Sequence, residues 1–355
     1  MEILRLLRQE FASSYGFPVI IKAQNGGGGR GMRIARSFEE IEPQLAAAIR
    51  EAALAFGRPE CFIERYIERA RHVETQCLAD QHGDVVVLST RDCTLQRRQQ
   101  KLEEAPAPFL TSSQMEMLTN SSKRILKAVE YQGAATVEFL VTPEGEIYFL
   151  EVNTRVQVEH PVTEQITGID IICEMFKIAE GEALAIEPAN NTQHAIEFRI
   201  NAEDPWKDFS PTPGLITNLQ LPAGPGVRVD FGYAQGDAVP PYYDSLVGKL
   251  IVTGNSREQA IRRARRALDE LRITGIKTIQ PLHRAILERD EFTASDASGF
   301  KVYTRWIDSE LEELCKVAEH YSNASKANQL APPLKLSMCR RLLRLRSSSP
   351  PIAQG

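Results

Sequence analysis

The chain has 355 residues, of which 43% are hydrophobic and 25% charged, with 22 Gly and 20 Pro; this composition excludes a collagen-like, disulfide-scaffold or wholly disordered chain. At about 100–200 residues per domain, the length predicts two domains or one large one. The net charge of −5 is uneven: residues 322–355 carry six basic and no acidic side chains, leaving a body at −11 that argues against nucleic-acid binding.

From the amino terminus, Met1 to Tyr15 predicts a helix that stops at Gly16, and Phe17 to Ala23 a short β-branched strand. A glycine loop follows, and Met32 to Arg36 reads as a second strand. Ser37 to Phe56 predicts a helix opened by Ser37 with Glu40 at capping-box spacing. Further helices are expected at Ser113 to Val129, Thr163 to Ala179 and Ser256 to Leu271. Gly181 to Gln193 lacks any period and marks a domain boundary. His194 to Val252 is rich in strands and turns, punctuated by Pro211, Pro213, Pro222, Pro225, Pro240 and Pro241. Beyond Ser322 the composition predicts a disordered basic tail. No apolar run approaches the roughly 18 residues of a membrane span, and no apolar stretch precedes a small-residue cleavage site. A cytoplasmic chain without membrane or nucleic-acid partners is therefore expected. The six cysteines are scattered with no C-x-x-C pair, which predicts reduced thiols and no zinc site.

Gly26, Gly28 and Gly31 fit G-x-G-x-x-G, but the loop joins two strands and opens no helix, so a Rossmann turn is not expected. A hairpin flap whose backbone N–H groups close over phosphates fits better, with a flexible turn as the alternative. Lys22, just before the flap, is then the phosphate-facing cation or a solvated surface lysine.

Thr136 to Thr142 and Ile147 to Glu151 read as a hairpin around Pro143-Glu-Gly-Glu146. If Thr142 pairs with Ile147, Glu138 faces Glu151. Carboxylates directly across a ladder repel unless a group lies between them, and Mg²⁺ held by two carboxylates and phosphate oxygens is the usual nucleotide arrangement. Two edge carboxylates in another register remain the alternative. Continued to Glu159, the strand would align Glu151, Asn153, Arg155, Gln157 and Glu159 on one face, with Glu159 a candidate base and His160 pointing away in a structural role.

Together, Gly26-Gly-Gly-Gly-Arg-Gly-Met32, Arg71-His-Val-Glu74, Arg91-Asp-Cys-Thr-Leu-Gln-Arg-Arg98, Glu103-Glu-Ala-Pro-Ala-Pro108, Glu151 to Pro161, Arg199-Ile-Asn-Ala-Glu-Asp-Pro205 and Pro240-Pro-Tyr-Tyr-Asp-Ser245 resemble biotin carboxylase. This is the ATP-grasp component of acyl-CoA carboxylases and pyruvate carboxylase. The resemblance implies an α+β chain: an ATP-grasp module at residues 1–185, a small β-rich biotin carboxylase C-terminal domain at 193–306, and a tail at 322–355. It implies that ATP phosphorylates bicarbonate to carboxyphosphate, which delivers CO₂ to biotin. Lys22, Gly28 and Gly29 would then contact phosphates, Glu64, Arg65, Tyr66 and Ile67 the adenine, and His72 and Gln96 would complete the nucleotide site. Glu138, Glu151 and Asn153 would bind Mg²⁺ or Mn²⁺. Lys101, Arg155, Gln157, Val158 and Glu159 would form the bicarbonate site, with Glu159 as base, and Arg199 would stabilise the biotin enolate. Biotin would arrive on a carrier protein or domain, with a carboxyltransferase as further partner. A homo-oligomer is expected if the family's Rossmann-like first lobe, not contained in this sequence, is supplied. Gln99 stands where the family usually has a nucleotide-site His, and Lys101-Leu-Glu-Glu104 is one residue shorter than the usual spacing. A non-catalytic ATP-binding relic and another ATP-grasp ligase, such as a carbamoyl-phosphate synthetase half, are the alternatives.

Overall fold

The computed structural model describes residues 10–26, 32–97, 99–186 and 193–330. Gly28 and Gly29, most of the expected first helix, and the tail from residue 331 lie outside these ranges. The first strand, β1 (Val19–Ala23), lies between β2 (Arg33–Ala35) and β3 (Cys61–Arg65) in an antiparallel sheet. Helix α1 (Phe38–Phe56) backs this sheet, burying Ile41, Leu45 and Ala48 against Val19, Ile21 and Ala35. It ends at Gly57, whose φ of 70° only glycine adopts without strain. The expected capping box is not formed: the Ser37 side chain makes no cap hydrogen bond, and the Glu40 carboxylate accepts instead from the Arg36 N–H, at 2.7 Å.

The chain continues through β4 (Arg71–Ala79), β5 (Val85–Arg97), β6 (Gln99–Ala105), α2 (Ser112–Ala128), β7 (Gly133–Val141), β8 (Ile147–Asn153), α3 (His160–Thr167) and α4 (Ile171–Ala179). After these come β9 (His194–Asn201), β10 (Val227–Phe231), β11 (Leu246–Gly254), α5 (Arg257–Glu270), α6 (Gln280–Ile286) and α7 (Trp306–Leu330). Eight of these strands form one antiparallel sheet in the order β10-β11-β9-β6-β5-β4-β7-β8. The β6–β9 ladder, from Leu102↔Phe198 to Ala105↔Ala195, carries this sheet across the expected boundary at Gly181 to Gln193.

Period-2 alternation on β9 divides the surroundings of the sheet. Ile196, Phe198 and Ile200 pack with Leu250, Ala260, Ala264, Leu282 and Ile307 under α5, α6 and α7. Ala195 packs on the other face with Ala105, Ile251 and the α3 residues Val162 and Ile166. Glu197 and Arg199 share the face of Ala195, so the charged residues of β9 point towards the start of α3.

Three further expectations are corrected. The helix expected at Thr163 to Ala179 is two helices, because Gly168 takes φ 73° and caps α3 while Asp170 caps α4 through the Cys173 N–H at 2.9 Å. The strand expected to run to Glu159 stops at Asn153, since Pro161 and the buried Val162 and Ile166 favour a helix from His160 onward. Helix α7 continues past Ser322 to Leu330, where the tail was expected to begin. Cys77, Cys93, Cys173 and Cys315 are free thiols. Among the described residues no helix is long and apolar enough to cross a membrane.

Candidate active site

The hairpin that faces Glu138 with Glu151 is built by two compensating features. Its loop is three residues, Pro143-Glu144-Gly145, closed by the Thr142 N–H donating to the Glu146 carbonyl at 2.9 Å, with Gly145 at φ 91°. Val141 therefore pairs with Ile147, one residue away from the expected register. A bulge between Phe139↔Phe149 and Glu138↔Glu151 adds one residue on β8 and restores the expected facing pair.

Glu138 is 4% exposed and heavily hydrogen-bonded. It accepts from Asn153 Nδ2 at 2.5 Å and Gln157 Nε2 at 3.0 Å, and meets His72 Nε2 at 2.8 Å. Burial alone would raise its pKa; His72, Gln157 and Arg91 outweigh burial and hold the carboxyl below its ordinary value. Burial disfavours the charged His72, but Glu138, Glu74 and Asp92 push its pKa up to about 9. Glu151 is exposed, 3.5 Å from Asn153 Nδ2. Two carboxylates flanking an amide form a hard-oxygen donor set of the kind Mg²⁺ takes, once the amide turns its oxygen inward.

Beyond β8 the chain brings Gln157 and Glu159 inward by a loop, not by strand alternation. Gln157 Oε1 accepts from Arg91 Nη2 at 2.9 Å, the Val158 carbonyl accepts from Lys249 Nζ at 2.9 Å, and Arg155 stays exposed with Nη2 3.3 Å from Asn153 Oδ1. Glu159, 1% exposed, precedes the first turn of α3 and accepts from Arg199 Nη2 at 2.9 Å. Arg199 Nε also lies 2.7 Å from Glu103 Oε1. His160 opens α3 and points its Nδ1 at the Gln157 carbonyl, 2.7 Å away, in place of the outward strand position expected for it.

Lys101 is held elsewhere. It falls in the bulge of β6 opposite Leu95 and Gln96, which turns it to the side of its neighbour Leu102. Its Nζ donates to Glu203 Oε2 at 3.0 Å and lies 5.5 Å from the Phe209 ring centroid. Burial lowers its pKa, partly offset by Glu203. Glu203 Oε1 accepts from Ser245 Oγ at 2.6 Å, which joins the Arg199 to Pro205 and Pro240 to Ser245 segments. The nucleotide residues divide similarly. Lys22 pairs with Glu64 at 2.5 Å, Arg65 donates to the Tyr148 hydroxyl at 3.4 Å, and the Tyr66 N–H donates to the Pro18 carbonyl at 3.0 Å. A cavity of about 240 Å³ beside them is lined by Arg65, Ile67, Glu146 and Tyr148, among others. Gln96, near the end of β5, is half-buried and pairs with Gln100.

Arg91 has no role assigned from the sequence, yet it is 0% exposed at the centre of this face. It donates to Glu74 Oε1 at 2.5 Å, Gln76 Oε1 at 2.6 Å, Gln157 Oε1 at 2.9 Å, Thr163 Oγ1 at 3.1 Å and Thr136 Oγ1 at 3.2 Å. Its motif, Arg91 to Arg98, is visible in the sequence; its partners come from β4, β7, α3 and the loop before α3 and carry no local signal.

A small antiparallel sheet of three strands beside a large sheet with facing carboxylates defines an ATP-grasp protein. The family model for the carbamoyl-phosphate synthase L chain ATP-binding domain matches residues 7–187, and that for the biotin carboxylase C-terminal domain matches residues 197–309. The biotin-dependent acyl-coenzyme A carboxylase alpha3 subunit of Mycobacterium leprae is 54% identical over 84% of this chain and 50% of its own. The biotin carboxylase of a Nostoc species is 49% identical over 81% of this chain and 65% of its own. The biotin carboxylase domain of the Hydrogenobacter thermophilus 2-oxoglutarate carboxylase, solved with MgADP, ADP and bicarbonate, superposes with a TM-score of 0.82 at 42% identity, covering 86% of this chain and 67% of that one. The chain belongs to the biotin carboxylase family. It spans one half to about two thirds of the length of these relatives.

Proposed function

We propose that this chain carries the catalytic face of an ATP-dependent biotin carboxylase serving an acyl-CoA or pyruvate carboxylase, with residues 1–185 as the ATP-grasp unit and 193–306 as the C-terminal unit. The observation that carries this reading is the 2.9 Å contact of Arg199 with Glu159, which joins the expected biotin residue to the expected base from separate segments. Lys22 and the flap glycines Gly28 and Gly29 bind the ATP phosphates, Glu64, Arg65, Tyr66 and Ile67 the adenine, and His72 and Gln96 complete the site. Glu138, Glu151 and Asn153 hold Mg²⁺ or Mn²⁺, which supplies charge neutralisation for the transferred phosphoryl group.

Glu159 takes the hydroxyl proton of bicarbonate, oriented by Arg155, Gln157 and the Val158 backbone; Lys101, paired with Glu203, would have to leave that pair to join them. The freed oxygen attacks the γ-phosphorus, ADP leaves, and carboxyphosphate forms. Its breakdown yields CO₂ and phosphate, the phosphate takes the biotin N1 proton, and N1 attacks CO₂. Arg199 stabilises the oxygen of the enolate that loss of the N1 proton creates and that the attack on CO₂ consumes. The carrier-borne biotin and a carboxyltransferase are the partners of this reading, and a homo-oligomer its assembly.

The test is biotin-dependent ATP hydrolysis with bicarbonate. Loss of a general base is expected to cut the rate about 10²- to 10⁴-fold in E159Q. Equal rates for wild type and E159Q would overturn the catalytic reading in favour of an ATP-binding relic, and carbamate formation from ammonia without biotin would favour another ATP-grasp ligase.

A further inference from the structure

The large sheet contains a second facing pair of acids. Glu103 of β6 is directly opposed to Glu197 of β9, and both are 0% exposed. Opposed residues have Cβ atoms about 4.5–5.5 Å apart, so two anions there repel strongly in a dry interior. Neither Glu197 oxygen has a hydrogen-bond partner, and Glu103 meets Arg199 Nε at 2.7 Å without hydrogen-bond alignment. The pair differs from Glu138 and Glu151, where one acid is exposed and an amide stands between.

We propose that Glu103 and Glu197 share one proton at neutral pH, and that this proton limits the negative charge gathered around Arg199, leaving its guanidinium more attractive to an electron-rich ligand. The second half rests on the role given to Arg199 above. The charged groups facing the pair come from every neighbouring element. Arg199 stands two residues along β9; Glu159 and His160 project from the start of α3. Lys249 of β11 is directly opposed to Arg199, donates to the Val158 carbonyl at 2.9 Å and lies 3.9 Å from Asp230 of β10. Glu74 of β4 and Arg91 and Cys93 of β5 lie beyond, with Arg91 engaged by Glu74 at 2.5 Å. Arg199 thus contacts both Glu103 and Glu159. If Glu103 and Glu197 were both ionised, they and Glu159 would outnumber the single charge of Arg199 three to one. One shared proton removes one of those negative charges.

The direction of titration agrees. Burial pushes the Glu103 carboxyl up to about 7 although Arg199 opposes it. Burial, with Glu103 adding repulsion, raises Glu197 well above the ordinary carboxylate range, against Lys249 and Arg199.

Infrared spectra of the whole chain test the proton without requiring turnover. A protonated carboxylic acid band is expected at neutral pH in wild type, and is expected to weaken in E197Q, where Glu103 no longer faces an acid. Absence of the band in wild type, or an undiminished band in both E197Q and E103Q, would overturn the proposal. Should E197Q fold poorly, wild type still decides: at about pH 6, unfolding should release a proton that the pair held, and no such release would count against sharing. Free biotin is the probe for Arg199. Its affinity for wild type is expected to fall several-fold between about pH 6 and pH 9 and to fall less in E197Q; parallel pH dependences would overturn the link to Arg199. A band present with no biotin bound by either protein would count against Arg199 as the biotin residue, and leave the shared proton supported.

Discussion

Arg91 shows how a single buried charge organises this face. Its guanidinium is fully buried among Glu74, Gln76, Thr136, Gln157 and Thr163, and the nearby carboxylates of Glu74 and Glu159 outweigh the burial that disfavours its charge. Removing one partner of a buried pair leaves the other charge uncompensated, so R91M is expected to destabilise the chain by about 3–5 kcal/mol in denaturant unfolding. It should also release Gln157, and with it one hydrogen bond to Glu138. The Glu138–Glu151 face makes a separate prediction. E138Q or E151Q is expected to weaken Mg²⁺-dependent nucleotide binding, and a magnesium titration identical to wild type would remove these residues from the site. Glu138 and Glu151 were legible as a facing pair because a hairpin has few registers. Arg91, Glu103 and Glu197 were not, because each meets its partners only across strands remote in sequence.

At the scale of elements, turns and bulges decide which residues face each other. The β7–β8 pair reached the expected Glu138↔Glu151 alignment through a shorter loop and a compensating bulge. Alternation predicted the facing acids while misjudging both the turn and the ladder between them. The same alternation failed beyond Asn153, where a loop and the start of α3, not a straight strand, carry Gln157 and Glu159 inward. In β6 a bulge sends Lys101 to Glu203 and Phe209. Helix α2, which packs Leu118 and Leu126 on Val73, Cys77 and Val137, is entered through a reciprocal cap between Thr111 and Gln114. T111A is expected to cost about 1 kcal/mol, measured by thermal or denaturant unfolding.

At the scale of the molecule, buried acids of opposite behaviour shape the dependence of stability on pH. Glu104 ties β6 to β9 and α5: its Oε2 accepts from Arg257 Nε at 2.7 Å and meets His194 Nε2 at 2.8 Å. Burial opposes its ionisation, but Arg257 and His194 prevail and lower its pKa from 4.5 to about 2. A depressed carboxyl stabilises the fold above its unfolded pKa and loses that contribution as pH falls through the folded value. Glu104 should therefore contribute on the order of 3 kcal/mol at neutral pH, lost between about pH 4.5 and 2 and absent throughout in E104Q. Glu103 and Glu197 act in the reverse sense. Their raised values mean that the native state holds protons the unfolded chain releases, so their contribution declines as pH rises from about 4.5. Denaturant midpoints measured across pH should rise, pass a maximum and fall, with E104Q flattening the acid limb and E197Q the alkaline one.

The family, the α+β class, the flap strands and the facing acids of β7 and β8 were determined by the sequence alone. Each rests on local order: a run of motifs, β-branched residues around a glycine loop, and a hairpin whose partners lie close along the chain. Only the tertiary structure decided that β6 and β9 join the two expected units in a single sheet. It also set Arg199 against Glu159, enclosed Arg91, opposed Glu103 to Glu197 and drew Lys101 to Glu203. These are pairings between distant segments, fixed by strand order, bulges and burial, and no periodicity along one segment encodes them.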